Sequence, residues 1–442
     1  MNSYPSYKDS GVEWIGGIPS DWVKTKFKWD IFYQEGPGLR TFQFTESGIR
    51  VICVSNITEK GIDFSTTHTR HISEDEYSEK YRHFTVDDRD ILLSSSGSIG
   101  KVSRYYFDGQ SVILNTSTIR LHSKNRNKVY DDFIPYYLSS EYVQLQLRFL
   151  MTGGVVNNFG PSHLDQLFMY LPTISEQTQI VSFLDTKTQK IDELIEKTEQ
   201  KIKLLKEKRT SLINHCVTKG LNPNVEMKDS GVEWIGEIPR DWDSLPLKYF
   251  GQVTLGKMLT PEDKGGYFLK PYLRSKNIQI EKVNILDLKE MWFSENELNR
   301  LRLKKGDLLF NEGGDVGRTC QWNEEINECY IQNSVNRVRL PDDNERYYLH
   351  LSILYHSEGY YDSLVNRVSI PHLTKEKLES VKFLRPPLSE QTQIIEYLDE
   401  QTQKIDSTIE KETQRIELLK EYRQSLISEV VTGKVDVRDW KE

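Results

Sequence analysis

The sequence predicts an α+β chain built twice, in which two mixed α and β domains alternate with two very long helices that pack on each other. Three observations carry the prediction. Residues 175–218 (SEQTQIVSFLDTKTQKIDELIEKTEQKIKLLKEKRTSLINHCVT) hold no Pro and no Gly and are rich in Glu, Lys, Gln and Leu, all good helix formers. The same text returns at residues 389–432, with roughly two-thirds of the positions identical and no gap. A second repeat brackets the first: KDSGVEWIGGIPSDW at residues 8–22 comes back as KDSGVEWIGEIPRDW at residues 228–242. Two copies at one long spacing mark a duplicated domain pair, not a solenoid.

Residues 1–173 are the first domain and residues 219–387 the second. Each opens on the bracketing repeat, where Pro19 before Asp21-Trp22, and Pro239 before Asp241-Trp242, read as a turn that anchors a buried indole. Strand-like runs follow (WVKTKFKWDIF and LPLKYFGQVTL), and then landmarks in the same order. VICVSNI at 51–57 lines up with PYLRSKNI at 271–278, and DILL at 90–93 with DLLF at 307–310. Gly97, Gly100 and Lys101 match Gly314, Gly317 and Arg318, and Asn115-Thr116 stands before TIRL as Asn333-Ser334 stands before VRL. Alternating Val, Ile and Tyr between Gly-bearing turns predicts a sheet of short strands. Helical patterns follow at 131–150 and 346–365, then a strand that reaches Pro172 or Pro386.

The long helices occupy residues 174–218 and 388–432, with a tail at 433–442. Ser175 before a Glu-bearing first turn is the expected N-cap. In the first helix Ile180, Leu184, Ile191, Ile195, Ile202, Leu205 and Leu212 form one stripe; Ile394, Leu398, Ile405, Ile409, Ile416, Leu419 and Leu426 repeat it in the second. Steps of three, four and seven resemble a coiled-coil seam. At about 1.5 Å per residue each helix is roughly 60 Å long, so its stripe needs a partner. Two separate amphipathic helices on separate cores are the alternative, but the repeats are too long for typical globular helices.

Composition excludes several classes. No run of 18 apolar residues exists to span a membrane, and the opening MNSYPSYKDSG lacks the pattern of a signal peptide. Cys53, Cys216, Cys320 and Cys329 are scattered with no CxxC pair, which fits a reducing cytoplasm and argues against a zinc site. SSSGSIGKV at 94–102 lacks the first glycine and the Ser/Thr of a phosphate-binding loop; it reads as a turn between core strands. Pro261-Glu262-Asp263-Lys264 has a nuclease-like ExK spacing but no matching upstream acid in the first copy. No GxGxxG follows a strand, and no HExxH occurs. A chain without a catalytic constellation reads as a recognition or scaffold protein.

The net charge of −8 disfavours a simple nucleic-acid binder, but the acidic excess sits mainly in the second long helix and tail. Arg120, Lys124, Arg126 and Lys128 form a basic run in the first domain. Lys257, Lys264, Lys270, Arg274 and Lys276 form another in the second, interleaved with Tyr267, Phe268 and Tyr272. His68 and His71 flank Arg70 in a polar stretch. GGVVNNF at 153–159 and LVNRVS at 364–369 are Asn-bearing loops at equivalent places. Such groups serve as phosphate contacts and base readers, or as an ordinary solvated face. The residues expected at a DNA interface are Arg40, Arg70, Lys101, Asn157 and Asn158 in the first domain, and Lys257, Arg274, Lys276, Arg318, Asn366 and Arg367 in the second.

The paired helices with their P-x-x-E-Q-x-x-I entries (Pro172 to Ile180, Pro386 to Ile394), together with the two divergent domains, make the chain resemble the specificity (S) subunit of a type I restriction–modification enzyme over essentially its whole length. The resemblance implies two target-recognition domains, each reading one half of a split DNA sequence. The long helices would pack antiparallel as a coiled-coil spacer in a pseudo-twofold chain. Two methyltransferase (M) subunits that bind S-adenosylmethionine would dock on it, and restriction (R) subunits with ATP and Mg would join for cleavage. The S subunit itself would hold no cofactor and no metal and would not be catalytic. Nearly identical helices beside divergent domains predict an asymmetric target. The competing expectation is a coiled-coil adaptor that binds proteins and not DNA.

Overall fold

A computed structural model describes residues 3–13, 15–58, 61–65, 69–96, 100–151, 159–365 and 372–441. It divides into two compact units: Met1–Glu199 with Thr413–Glu442, and Gln200–Glu412.

The first unit holds a four-stranded antiparallel sheet in the order Val102–Arg104, Ile91–Ser94, Thr118–Ser123, Ile31–Glu35. Beside it lies a three-stranded sheet in which Ile49–Ile52 pairs parallel with Val112–Leu114 and antiparallel with Arg70–Ile72. The inner strands are continuously apolar because both faces are covered: Ile91, Leu92 and Leu93 are fully buried. The helical pattern expected over 131–150 breaks at Ser140, whose extended backbone separates Phe133–Ser139 from Glu141–Met151. A short pair, Phe168–Leu171 with Val23–Lys26, closes the unit.

The second unit repeats the scheme. Its four-stranded sheet runs Gln252–Leu255, Val335–Arg339, Leu308–Asn311, Thr319–Gln321. Its three-stranded sheet has Phe268–Leu273 parallel to Tyr330–Ile331 and antiparallel to Lys289–Phe293. Helix Glu345–Ser357 is capped by the Asn344 side chain, and Gly359 at φ +68° turns the chain into Tyr360–Ser363.

The long helices run over Ile174–Lys219 and Leu388–Val431. Ser175 is not the cap, because the first helix begins one residue earlier. The Thr173 carbonyl accepts the Gln177 N–H (2.9 Å) and its hydroxyl the Glu176 N–H (3.4 Å). At the second helix the Pro387 carbonyl accepts from the Glu390 and Gln391 amides. Glycine ends both: Gly220 (φ +74°) and Gly433 (φ +73°) supply the left-handed residue that other side chains resist.

The Glu-Gln pair in each helix entry is structural. Buried Gln177 accepts the Tyr130 N–H (2.8 Å) and donates to the carbonyls of Lys128 and Pro172. Gln391 does the same with the Asn344 N–H, the Asp343 carboxylate and the Pro386 carbonyl. The apolar stripe serves two ends. Ile180 and Leu184 join one core with Leu426, Ile427 and Val430, so near its domain the stripe is a globular face. Toward the middle of the helices the stripe residues Ile191, Ile405 and Ile416 stay buried and ion pairs flank them: Asp192 with Arg423 (2.9 Å) in the first unit, and Lys201 with Glu412 (2.5 Å) and Arg209 with Asp406 (3.1 Å) in the second.

Candidate nucleic-acid interface

In each unit the two parallel strands stop side by side, and the chain leaves them in two tight turns. In the first unit the N–H of Cys53 donates to Asn56 Oδ1 (2.9 Å), and Asn56 Nδ2 donates to the Asp63 carbonyl (2.9 Å). The short turn Val54–Asn56 is thereby pinned. In the second unit Arg274 and Asn277 repeat the bond (3.1 Å), and Asn277 Nδ2 donates to Asn284 (2.8 Å). Both asparagines are buried. They fix one backbone frame while the residues around them differ. Two glycines make the second turn possible. A Cβ at Gly36 or Gly256 would come within 2.2 Å of the carbonyl oxygen of Asn115 or Gln332.

That frame sets the equivalences. Gly36 donates to Thr118 O and Gly256 to Val335 O, so Asn115-Thr116 matches Gln332-Asn333. The sequence alignment with Asn333-Ser334 was one residue out, because Asn-Ser and Gln-Asn are equally turn-like and only the ladder fixes register. Lys101 and Arg318 are truly equivalent, since their carbonyls accept from Ser94 and Asn311 respectively.

In the first unit the turns floor an open cleft of about 460 Å³ walled by Arg70 and Ser96. Its lining is uncharged apart from Arg70, whose guanidinium lies 4.7 Å from the Phe44 ring centre. Arg40, Arg70 and Lys101 are exposed and make no ion pair among the described residues. In the second unit the described cations among those expected, Lys257, Arg274, Lys276 and Arg318, are all anchored. Arg274 and Lys276 meet the same Asp287 carboxylate at 2.6 and 3.2 Å, which holds that carboxyl below its usual range, through the Lys276 hydrogen bond first and the Arg274 charge besides. Arg318 reaches Asp315 (3.4 Å) and the Ser275 carbonyl (3.2 Å), bringing Arg274, Lys276 and Arg318 around one turn. Lys257 is committed elsewhere: its ammonium sits on Glu297 (2.5 Å) and the Trp292 carbonyl, beneath Tyr267. Asn157, Asn158, Asn366 and Arg367 lie outside the described residues.

The basic run of the first domain is not a free patch. Arg120 bonds Gln34 and lies near Asp87 and Asp90; Lys124 donates to Lys28 O; Arg126 pairs with Asp131 and Lys128 with Asp30. Asp287 was missed from sequence, since nothing marks an acid eleven residues after Lys276 as its partner. Phe42 and Met258, highly exposed in the loops after Gly36 and Gly256, were missed too; large apolar residues in Gly- and Pro-bearing loops were the available signal. Among the described residues no cluster of His, Cys, Asp and Glu could hold a metal ion.

A twice-built α/β unit with a polar, basic-edged cleft, mounted on long helices, is the architecture of a DNA-recognition scaffold. The family model described as "Type I restriction modification DNA specificity domain" matches residues 19–204 and 239–420, and the chain belongs to that family, whose specificity subunits recognise the DNA target and are not catalytic. It is 26% identical to the putative type I restriction enzyme MjaX specificity subunit of Methanocaldococcus jannaschii over 96% of either chain. A structure solved for complex assembly and conformational transition of a type I R-M system superposes with TM-score 0.66 at 16% identity, over 95% of this chain and 99% of the other. The HsdS subunit of Thermoanaerobacter tengcongensis gives 0.55 at 15% identity, over 95% and 98%. No helix among the described residues is long and apolar enough to cross a membrane.

Proposed function

We propose that this chain reads a bipartite, asymmetric DNA target, one half-site per unit, and scaffolds the methyltransferase and restriction subunits of a type I restriction–modification complex in the cytoplasm. The observation that carries the proposal is one cleft frame built twice with different side chains at matching positions: Cys53 against Arg274, Ser55 against Lys276. A common frame with unlike reading groups suits two unlike half-sites. The three cross-helix ion pairs have one partner rising in number as the other falls, which supports an antiparallel pair acting as a pseudo-twofold, coiled-coil spacer between half-sites. Two M subunits would dock on it. S-adenosylmethionine would bind the M subunits, ATP and Mg the R subunits, and this chain would carry no cofactor. The acidic net charge is the one argument for the protein-binding adaptor, and the family match over both domains outweighs it.

The test is methylome sequencing of cells with and without this chain, its M subunit supplied in both. A split, asymmetric methylation motif that vanishes with the chain is the expected result. An unchanged methylome overturns the reading.

A further inference from the structure

The specificity reading can be carried to the chemistry of one base. We infer that Arg274 and Lys276, held together on Asp287, form a two-cation head that reads guanine in the half-site of the second unit, a head that the first unit lacks at the equivalent positions Cys53 and Ser55. The inference rests on the proposed function.

Equivalent positions on one frame carry unlike side chains in the two units. Arg274 precedes and Lys276 sits within the turn Ser275–Asn277, pinned by Asn277 as Val54–Asn56 is pinned by Asn56. In the first unit those positions are Cys53 and Ser55, too short to project beyond the turn. Arg274 is one-quarter exposed and fixed by the 2.6 Å bond to Asp287; Lys276 is 72% exposed. One carboxylate serves two cations through the same Oδ2, so the head keeps a net positive charge and more N–H donors than acceptors. Guanine is the base whose major-groove edge presents two acceptors side by side, O6 and N7; adenine and cytosine each place an amino donor there. An arginine immobilised by a carboxylate loses less freedom on docking than a free one and holds its fork in one direction, which suits a base edge more than a phosphate. The floor of the first cleft, by contrast, carries Ser, Thr and Asn groups that both donate and accept, and its one cation, Arg70, stands on the wall and not in the turn.

The experiment uses the full S–M complex. Methylomes are recorded for wild type, Arg274→Ala, Lys276→Ala, the double variant and Arg274→Lys, with retention of the M subunit on purification as the folding check. The expected result is a wild-type half-site containing guanine whose preference over other bases drops about 5- to 150-fold in the double variant, while the other half-site stays intact. Arg274→Lys should recover part of it. A wild-type motif without guanine on either strand of the affected half-site overturns the inference and leaves the specificity reading standing. Equal weakening across all sequences overturns it in favour of a phosphate contact. Unchanged motifs overturn it outright. A wild-type complex that methylates no split motif is the failure of the specificity reading itself.

Discussion

The two units clasp their buried indoles with the same side chains but draw them from the chain differently. In the second unit residues 220–242 run continuously from the end of the first long helix to Trp242. Gly220 lies against that indole, and Trp242 Nε1 donates to Glu390 (2.9 Å). In the first unit the clasp is assembled from residues 3–22 and 433–440, which are far apart in sequence. Gly433 lies against Pro19 and Trp22, and Tyr7 donates to the Gly433 carbonyl. Trp22 Nε1 and the Tyr4 hydroxyl both donate to Glu176 (3.2 and 2.5 Å). Arg438 covers Tyr4, and Trp440 meets Phe183 edge-on. The difference teaches that side-chain complementarity holds this junction and covalent continuity is dispensable there. Extra contacts, Tyr4 and the Arg438–Asp436 pair, stand in the first unit where the second has a peptide linkage.

The largest effects should come from the indoles. Trp22→Ala and Trp242→Ala each empty a fully buried site and should cost about 3–5 kcal/mol. Hydrogen exchange, read separately over the two units, should show opening confined to the unit that carries the change. Deleting residues 434–441 should break the symmetry of that result. It removes buried Val435 and Val437 and should raise exchange in the first unit alone; equal effects in both units would sink the idea of a two-piece clasp.

Next come the acids. Glu176 is buried and accepts two donors; Glu390 is half-buried and accepts one. Glu176→Ala leaves two buried donors without a partner and should cost about 2–6 kcal/mol, Glu390→Ala about 1–3, at roughly 1–3 per stranded group. Melting of the two variants side by side checks the order; an equal or reversed order removes the distinction.

Much of this was legible in the sequence because it was written twice. The long helices, the turn before each indole, the Gly97–Lys101 and Gly314–Arg318 correspondence and the family resemblance all follow from repeated text. What could not be read was pairing across distance. Nothing in Arg126 or Lys128 announces Asp131 or Asp30 as its partner, so a basic run looked like a patch. Nothing near Asp287 ties it to Arg274. Register was lost at Asn333 for the same reason: hydrogen bonds between strands, absent from local text, decide that Gln332 and not Asn333 is the counterpart of Asn115. The helix cap was lost to Thr173 because its carbonyl and hydroxyl both serve, which spacing does not reveal.

The glycines of the two turns sharpen the comparison at a lower energy. Gly100 (φ +80°) and Gly317 (φ +76°) both occupy the left-handed region, so alanine is strained at each, by about 1 kcal/mol. Their surroundings differ. A Cβ at Gly100 meets the end of the Gln144 side chain, which can swing away. One at Gly317 meets the Tyr361 ring and Cβ, fully buried in the core and unable to yield. Gly317→Ala should therefore cost about 1–3 kcal/mol more than Gly100→Ala, the range for overpacking, with denaturant midpoints as the measure.

The smallest effects belong to the cross-helix ion pairs. Asp192–Arg423 and Arg209–Asp406 are partly exposed, with side-chain exposures of 33% and 52% in one and 27% and 51% in the other. Pairs of this kind contribute about 0.2–1 kcal/mol and weaken with salt. Asp192→Ala and Asp406→Ala, chosen because Arg209 also meets Glu281 (3.7 Å), should each shift stability by less than about 1 kcal/mol, and raising the salt should erase most of the difference from wild type. Their near-equality is itself the informative result. If the helices repeat because they do the same work in both units, matching losses are required, and a large loss in only one would show that the repeated text has been put to unequal use.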